Sequence, residues 1–256
     1  MFSIFPFSLL WWVDVVSAHQ FLFMGLTISP LYDIISPPKY LKEYIMEISF
    51  GKFVPTKCSI LENKDTYCDL LFEICKEKFG ERGFEKVTAI IKWLEATDFF
   101  DAPASSMYHE NYPGGLVEHT LRVYNNAMEL LRIAPFKDCN MVSVALCALV
   151  HDWCKIGLYK QDWKNVKNET TGQWEKQAIY KKVDPNVPLG HGTTSMYMAL
   201  RFFNLTVEEA LAIRWHMGEY HICQDERGEL HAANETYPMV QLIQFADRLA
   251  CTTFSV

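Results

Sequence analysis

The sequence is short of most features that would assign a chemistry at once. No Gly-rich phosphate loop, no GxSxG nucleophile elbow and no paired carboxylate site for glycosidic chemistry occurs in its 256 residues. There is no CxxC pair either, although eight cysteines are present. They are scattered at Cys58, Cys68, Cys75, Cys139, Cys147, Cys154, Cys223 and Cys251, several on apolar helical stretches. They read as reduced core residues of a cytoplasmic protein rather than a disulfide framework. Positive charge is also in deficit, with 24 Lys and Arg against 31 Asp and Glu for a net charge of −7. That balance excludes a broadly basic surface for gripping a long duplex and leaves room for a small or short anionic substrate in a local pocket. No Lys or Arg precedes Lys39, so the charged start of a secretory signal is missing. The early apolar run is broken by Asp14, His19 and Gln20 before a spanning length of about 18–20 residues accumulates, which makes a membrane span an unfavoured expectation.

What is present is a hydrophobic share of 50% and a charged share of 21%, enough for one well-buried domain. Residues 1–45 are an apolar N-terminal extension with three open readings: a segment packed on the domain, a poor membrane anchor, or a start-site artefact with translation from Met24 or Met46. The domain proper is expected over 46–256, with Ser36-Pro37-Pro38 as punctuation before it. Apolar residues recur at helical spacing over about 65–79, 84–97, 115–133, 138–153, 191–203, 206–217 and 237–253, an all-α architecture of about seven helices. Between 157 and 188 the character switches to aromatic and charged alternation around Thr171-Gly172, which predicts an inserted β-hairpin.

Several of these helices carry imidazole or carboxylate groups on faces that should be apolar. In ALCALVHDWCKIG, His151 shares a face with Val144, Cys147 and Ala148, and Asp152 follows Ala145, Ala148 and Leu149. His119 stacks with Leu116 and Val123, Asp247 with Val240, Ile243 and Cys251, and His216 with Ala212 and Ile213. His191 follows Gly190 at a helix start. A lone inward histidine is most often a satisfied core residue. Unpaired buried carboxylates and imidazoles in such number are costly, however, and a shared cation satisfies them together. Imidazole mixed with carboxylate oxygen suits Mn, Fe, Co, Ni or Zn, with Mg as an alternative. The absence of cysteine near the set argues against a structural zinc site.

His119, then His151-Asp152, then Asp247 resemble the H…HD…D pattern of the HD-domain superfamily of metal-dependent phosphohydrolases. His191 and His216 resemble the two additional histidines of its binuclear members, and HDWCK resembles the HDxxK form. The segment APASSMYHENYPGGLVEHT is similar to the one preceding the first metal histidine in the 3′→5′ exoribonuclease-like branch. The resemblance covers about residues 95–253 and implies an HD-domain helical bundle binding one or two divalent metal ions. It implies metal ligation by His119, His151, Asp152, His191, His216 and Asp247, with Asp152 as the bridging catalytic group. Lys155 takes the role of the lysine that contacts substrate phosphate, and His109 becomes a candidate for supporting the metal residues or touching substrate. No GYP signature and no recognisable N-terminal OB-fold occurs, which argues against cyclic-di-GMP hydrolysis and against processive RNA degradation.

The expected activity is hydrolysis of a phosphate ester of a nucleotide or short oligonucleotide through a metal-activated water. The alternatives are a phosphodiesterase or 3′→5′ exonuclease on cyclic or linear nucleic-acid signals, and a non-catalytic metal-containing binding module. For Lys155 the bland reading is a solvated residue near a helix end, and for His109 an ordinary loop residue. Arg214 either reaches the substrate phosphate or pairs with Glu208 or Glu209. His221 and His231 are expected on surface loops. A homo-oligomer is compatible with the sequence, and the hairpin is open to a role as lid or dimer contact.

Overall fold

The computed structural model describes residues 59–184, 187–220 and 222–252. The apolar segment 1–45, Cys58 and His221 lie outside these residues. The expected helices are α1 (Ile60–Phe79), α2 (Gly83–Glu95), α3 (Gly115–Leu130), α4 (Met141–Val150), α5 (His191–Leu200), α6 (Val207–Arg214) and α8 (Pro238–Ala250). Their starts are written in the sequence. Ser59 and Thr206 form capping boxes with Glu62 and Glu209, the Asn140 side chain accepts from Ser143 N at 2.9 Å, and Pro238 opens α8.

One further helix, α7 (Arg227–Thr236), replaces the surface loop expected around His231. Its apolar signal is only Leu230 and Ala233, three residues apart and both buried, which is too short a stripe to announce a helix. His231 stays exposed on it and pairs with Glu235 at 3.3 Å.

The core forms around α4, which is apolar along its whole length and buried from Val144 to Val150. Helix α4 packs against α1, α3, α5, α6 and α8, so the residues just beyond its C-terminus are delivered to the centre of the bundle. The helix stops at Val150, three residues before the sequence-based limit, because side chains take its last carbonyls. Tyr67 Oη donates to Leu149 O at 3.0 Å, and His151 Nδ1 lies 2.8 Å from Ala148 O. Trp153 Nε1 donates in turn to Tyr67 Oη at 3.0 Å, and Cys154 N donates to Ser195 Oγ at 3.0 Å. The His151-Asp152 turn is thereby fastened on both sides to α1 and α5.

The hairpin consists of β1 (Tyr159–Lys167) and β2 (Trp174–Lys182), antiparallel in a continuous register from Tyr159–Lys182 to Lys167–Trp174. Among the described residues, no helix is long and apolar enough to cross a membrane.

Candidate metal centre

Five elements bring the predicted groups together. His119 comes from the second turn of α3, His151 and Asp152 from the end of α4, His191 from the first position of α5, and His216 from just beyond α6. Asp247 projects from the last turn of α8. Asp152 lies at the centre. Its Oδ2 is 3.5 Å from His119 Nε2, 3.3 Å from His151 Nε2 and 2.7 Å from Lys155 Nζ. Its Oδ1 faces the other way, 2.9 Å from His191 Nε2 and 3.7 Å from His216 Nε2. Asp247 Oδ1 closes the first group, 3.1 Å from His119 Nε2 and 4.0 Å from His151 Nε2. One carboxylate thus divides the constellation into two sets of donors, one on each oxygen.

The histidines are oriented by their own helices. His151 Nδ1 meets Ala148 O at 2.8 Å and His216 Nδ1 meets Ile213 O at 2.7 Å, each three residues back. A carbonyl only accepts, so Nδ1 carries the proton and the Nε2 lone pair is turned into the cluster. Both Nε2 atoms are fully buried without a hydrogen-bond partner, although each lies within 3.7 Å of an Asp152 oxygen. Buried imidazole lone pairs left in this state cost free energy unless something else meets them. The donor chemistry fits a divalent cation, and His119, His151 and Asp152 offer ligand atoms all within 4.8 Å of one another. Asp152, Cys154 and His191 form a second such group.

Electrostatics reinforce this picture. Burial opposes charge on Asp152, but Lys155 and His151 outweigh it and hold its carboxyl well below the ordinary range. Asp247 is likewise held low against burial by His119. Burial, then the charges of His151 and His191, push His216 down to about 3, so its ring is neutral at pH 7. His191 is resolved the other way. Cys154 and Asp152 overcome its burial and raise it to about 10.

The remaining candidates divide. Lys155 is buried and bonded to Asp152, which overturns the reading of a solvated lysine. His109 lies beside the centre, its ring 4.8 Å from that of His119, and burial pushes it down to about 4. Arg214 is not brought into the cluster. Nor does it pair with Glu208 or Glu209. Its guanidinium meets Glu226 at 3.4 Å and Glu229 at 3.3 Å, and it stacks 4.4 Å from the Trp215 ring centre. Those partners come from the turn and helix that sequence periodicity did not show, and Glu209 is taken by Lys78 and by its own capping box.

Two expectations about neighbours also change. Cysteine is not absent from the centre. Cys154 Sγ is 3.2 Å from His191 Nδ1, and Cys251 Sγ is 3.7 Å from both His109 Nε2 and Asp247 Oδ1. Their place in HDWCK and one turn beyond Asp247 was the available signal. Glu110 had no signal at all. It is buried at φ +41, paired with Arg122, and its Oε2 lies 3.7 Å from His119 Nδ1. Both of those atoms are buried without a hydrogen bond. Gly115 makes the turn feasible, since a Cβ there would fall 2.0 Å from Glu110 O.

A family model for the HD domain matches residues 116–251, more than half of the chain. The chain belongs to the HD domain family. The matched span includes all six clustered groups of this HD domain and begins just after His109 and Glu110. No curated protein and no solved structure matches the chain. HD domains are typically metal-dependent hydrolases, and the His and Asp cluster fits the divalent metal such chemistry needs.

Proposed function

We propose that this HD domain hydrolyses a phosphate ester of a nucleotide or short oligonucleotide, using one or two divalent transition-metal ions. His119, His151, Asp152 and Asp247 would hold one ion and His191 and His216, with Asp152 between the sets, a second. Such ions polarise a phosphoryl oxygen and lower the pKa of a coordinated water, making it nucleophilic at neutral pH.

The chain's own groups do the rest. Lys155 is cationic and immobilised by Asp152, placing a positive charge where negative charge grows on a phosphoryl group. His216 and His109 are neutral at pH 7, available as lone-pair donors rather than as cations. The apolar shell from α4, including Leu149 and Val150, keeps bulk water from the back of the site. The observation that carries the reading is the splitting of Asp152, with Oδ2 toward His119 and His151 and Oδ1 toward His191 and His216.

The test combines elemental analysis of protein purified without added metal with hydrolysis of an aryl phosphodiester and a nucleotide panel in manganese. The expected result is up to two equivalents of transition metal and turnover that Asp152→Ala lowers by at least about 10²–10³-fold, the loss typical of a removed transition-state stabiliser. Metal-loaded protein that hydrolyses no ester in the panel would leave a binding module instead.

A further inference from the structure

The hairpin is unusual in having almost nothing packed on it. Nearly every residue of β1 and β2 is exposed or half-exposed, including Trp163 at 58% and Trp174 at 71% relative exposure. Residues 159–182 contain six lysines and three carboxylates, a net charge of +3 in a chain whose total is −7. This arm therefore carries a net positive charge in an otherwise acidic protein.

The register sorts these residues by face. Cross-strand partners in an antiparallel ladder project to the same side, and successive pairs alternate. Tyr159 and Lys182, Gln161 and Tyr180, Trp163 and Ala178, Asn165 and Lys176, and Lys167 and Trp174 all share one face. That face carries four aromatic rings, three lysines and no carboxylate. The opposite face holds Asp162 and Glu175, with Asp162 paired to Lys181. Among the described residues, no carboxylate forms an ion pair with Lys167, Lys176 or Lys182.

The ladder also has a direction. β1 begins four residues after Lys155, whose carbonyl accepts from Leu158 N at 3.1 Å. Tyr159, at the base, is close enough to Lys155 and Asp152 for their charges to act on its hydroxyl. From there the nine-residue strand runs outward for about 27 Å at a rise of about 3.4 Å per residue. A mononucleotide cannot span from the base to Trp174. A second copy of the chain would set one lysine ladder against another. Duplex bases are already stacked and cannot lie on the rings. Unstacked bases joined by phosphates match rings interleaved with lysines.

We propose that the Tyr159–Trp163–Trp174 face of the hairpin binds a single-stranded oligonucleotide and leads its end to the metal centre. The bases stack on Trp163, Trp174 and Tyr180 while Lys167, Lys176 and Lys182 meet the phosphates. This rests on the proposed phosphate-ester chemistry for its consequence but not for the binding itself.

Fluorescence anisotropy of labelled ten-nucleotide oligo-dT and oligo-U, with full-length protein stripped of metal to prevent cleavage, tests the binding alone. Trp163→Ala and Trp174→Ala are each expected to weaken binding by about 5- to 100-fold. Replacing Lys167, Lys176 and Lys182 by Gln should flatten the slope of log affinity against log salt by about 2. Val166→Ala, on the opposite face, should bind as the wild type does. Far-UV circular dichroism and a melting temperature matching the wild type show that the fold of both Trp variants is intact.

The proposal is overturned if the wild type fails to bind either strand, or if the Trp variants bind as tightly as it does. It is overturned too if they change only the sedimentation of the protein, which would make the face a contact between copies. Trp-dependent binding without any ester hydrolysis by the wild type sinks the phosphohydrolase reading and leaves this one standing.

Discussion

At the residue scale, the far nitrogens of the buried histidines fall into two situations. His151 and His216 spend Nδ1 on a carbonyl of the preceding turn. His119 sits inside α3, where backbone carbonyls are occupied by the helix itself, and its Nδ1 faces Glu110 Oε2 at 3.7 Å. A closure of well under 1 Å would make that contact a hydrogen bond and fix the proton on Nδ1, freeing Nε2. Glu110→Ala should therefore weaken metal affinity by about 10–100-fold, measured by competition with a chelating dye, and Glu110→Gln should recover part of it through its amide oxygen. Unchanged affinity in Glu110→Ala would remove the residue from any positioning role. Nothing in the sequence marks Glu110. Its importance comes from a turn at φ +41 that places it behind a residue on another element.

At the element scale, the second donor set depends on how closely α5 and α6 approach. Gly192 follows His191, and a Cβ at this position would fall 1.9 Å from Arg214 O, near the end of α6 and two residues before His216. Gly192→Ala must push the two elements apart, separating His191 from His216. The expected outcome is a loss of about 1–3 kcal/mol of stability, typical of overpacking, and a drop in bound metal per chain by elemental analysis. Gly228→Ala is the contrast. It lies in α7 with nothing within 4 Å of an added Cβ, so it should be neutral or stabilise by up to about 1 kcal/mol through helix propensity. Equal melting temperatures for the two variants would refute the close-approach argument. The hairpin illustrates the opposite limit, an element legible from two-residue alternation because nothing else packs on it to disguise the pattern.

At the scale of the whole molecule, the cluster makes the stability of metal-free protein depend on pH from both sides. His216 is lowered from 6.5 to about 3, so between those values the unfolded chain binds the extra proton and stability falls as pH drops. Depressed Asp152 and Asp247 act in the same direction as they are protonated. His191 is raised from 6.5 to about 10, so its contribution is complete below 6.5 and is lost as pH rises through 10. Thermal melts of metal-free protein should peak near pH 6–7 and fall on either side. Added metal should raise the alkaline side most, because binding takes the place of the proton on His191. A metal-free melting temperature that stays flat from pH 6.5 to 10 would contradict that assignment.

The sequence by itself determined the helical class, the hairpin and the identity of the six clustered groups. Polar residues on otherwise apolar helical faces are a local signal, readable from spacing alone. Only the tertiary structure decided that Asp152 stands between the two donor sets, that Lys155 is bound to it, and that Cys154, Cys251 and Glu110 border the site while Arg214 does not. Those outcomes depend on how far helices distant in the chain approach one another and where each turn ends. Spacing within a helix carries no information about either.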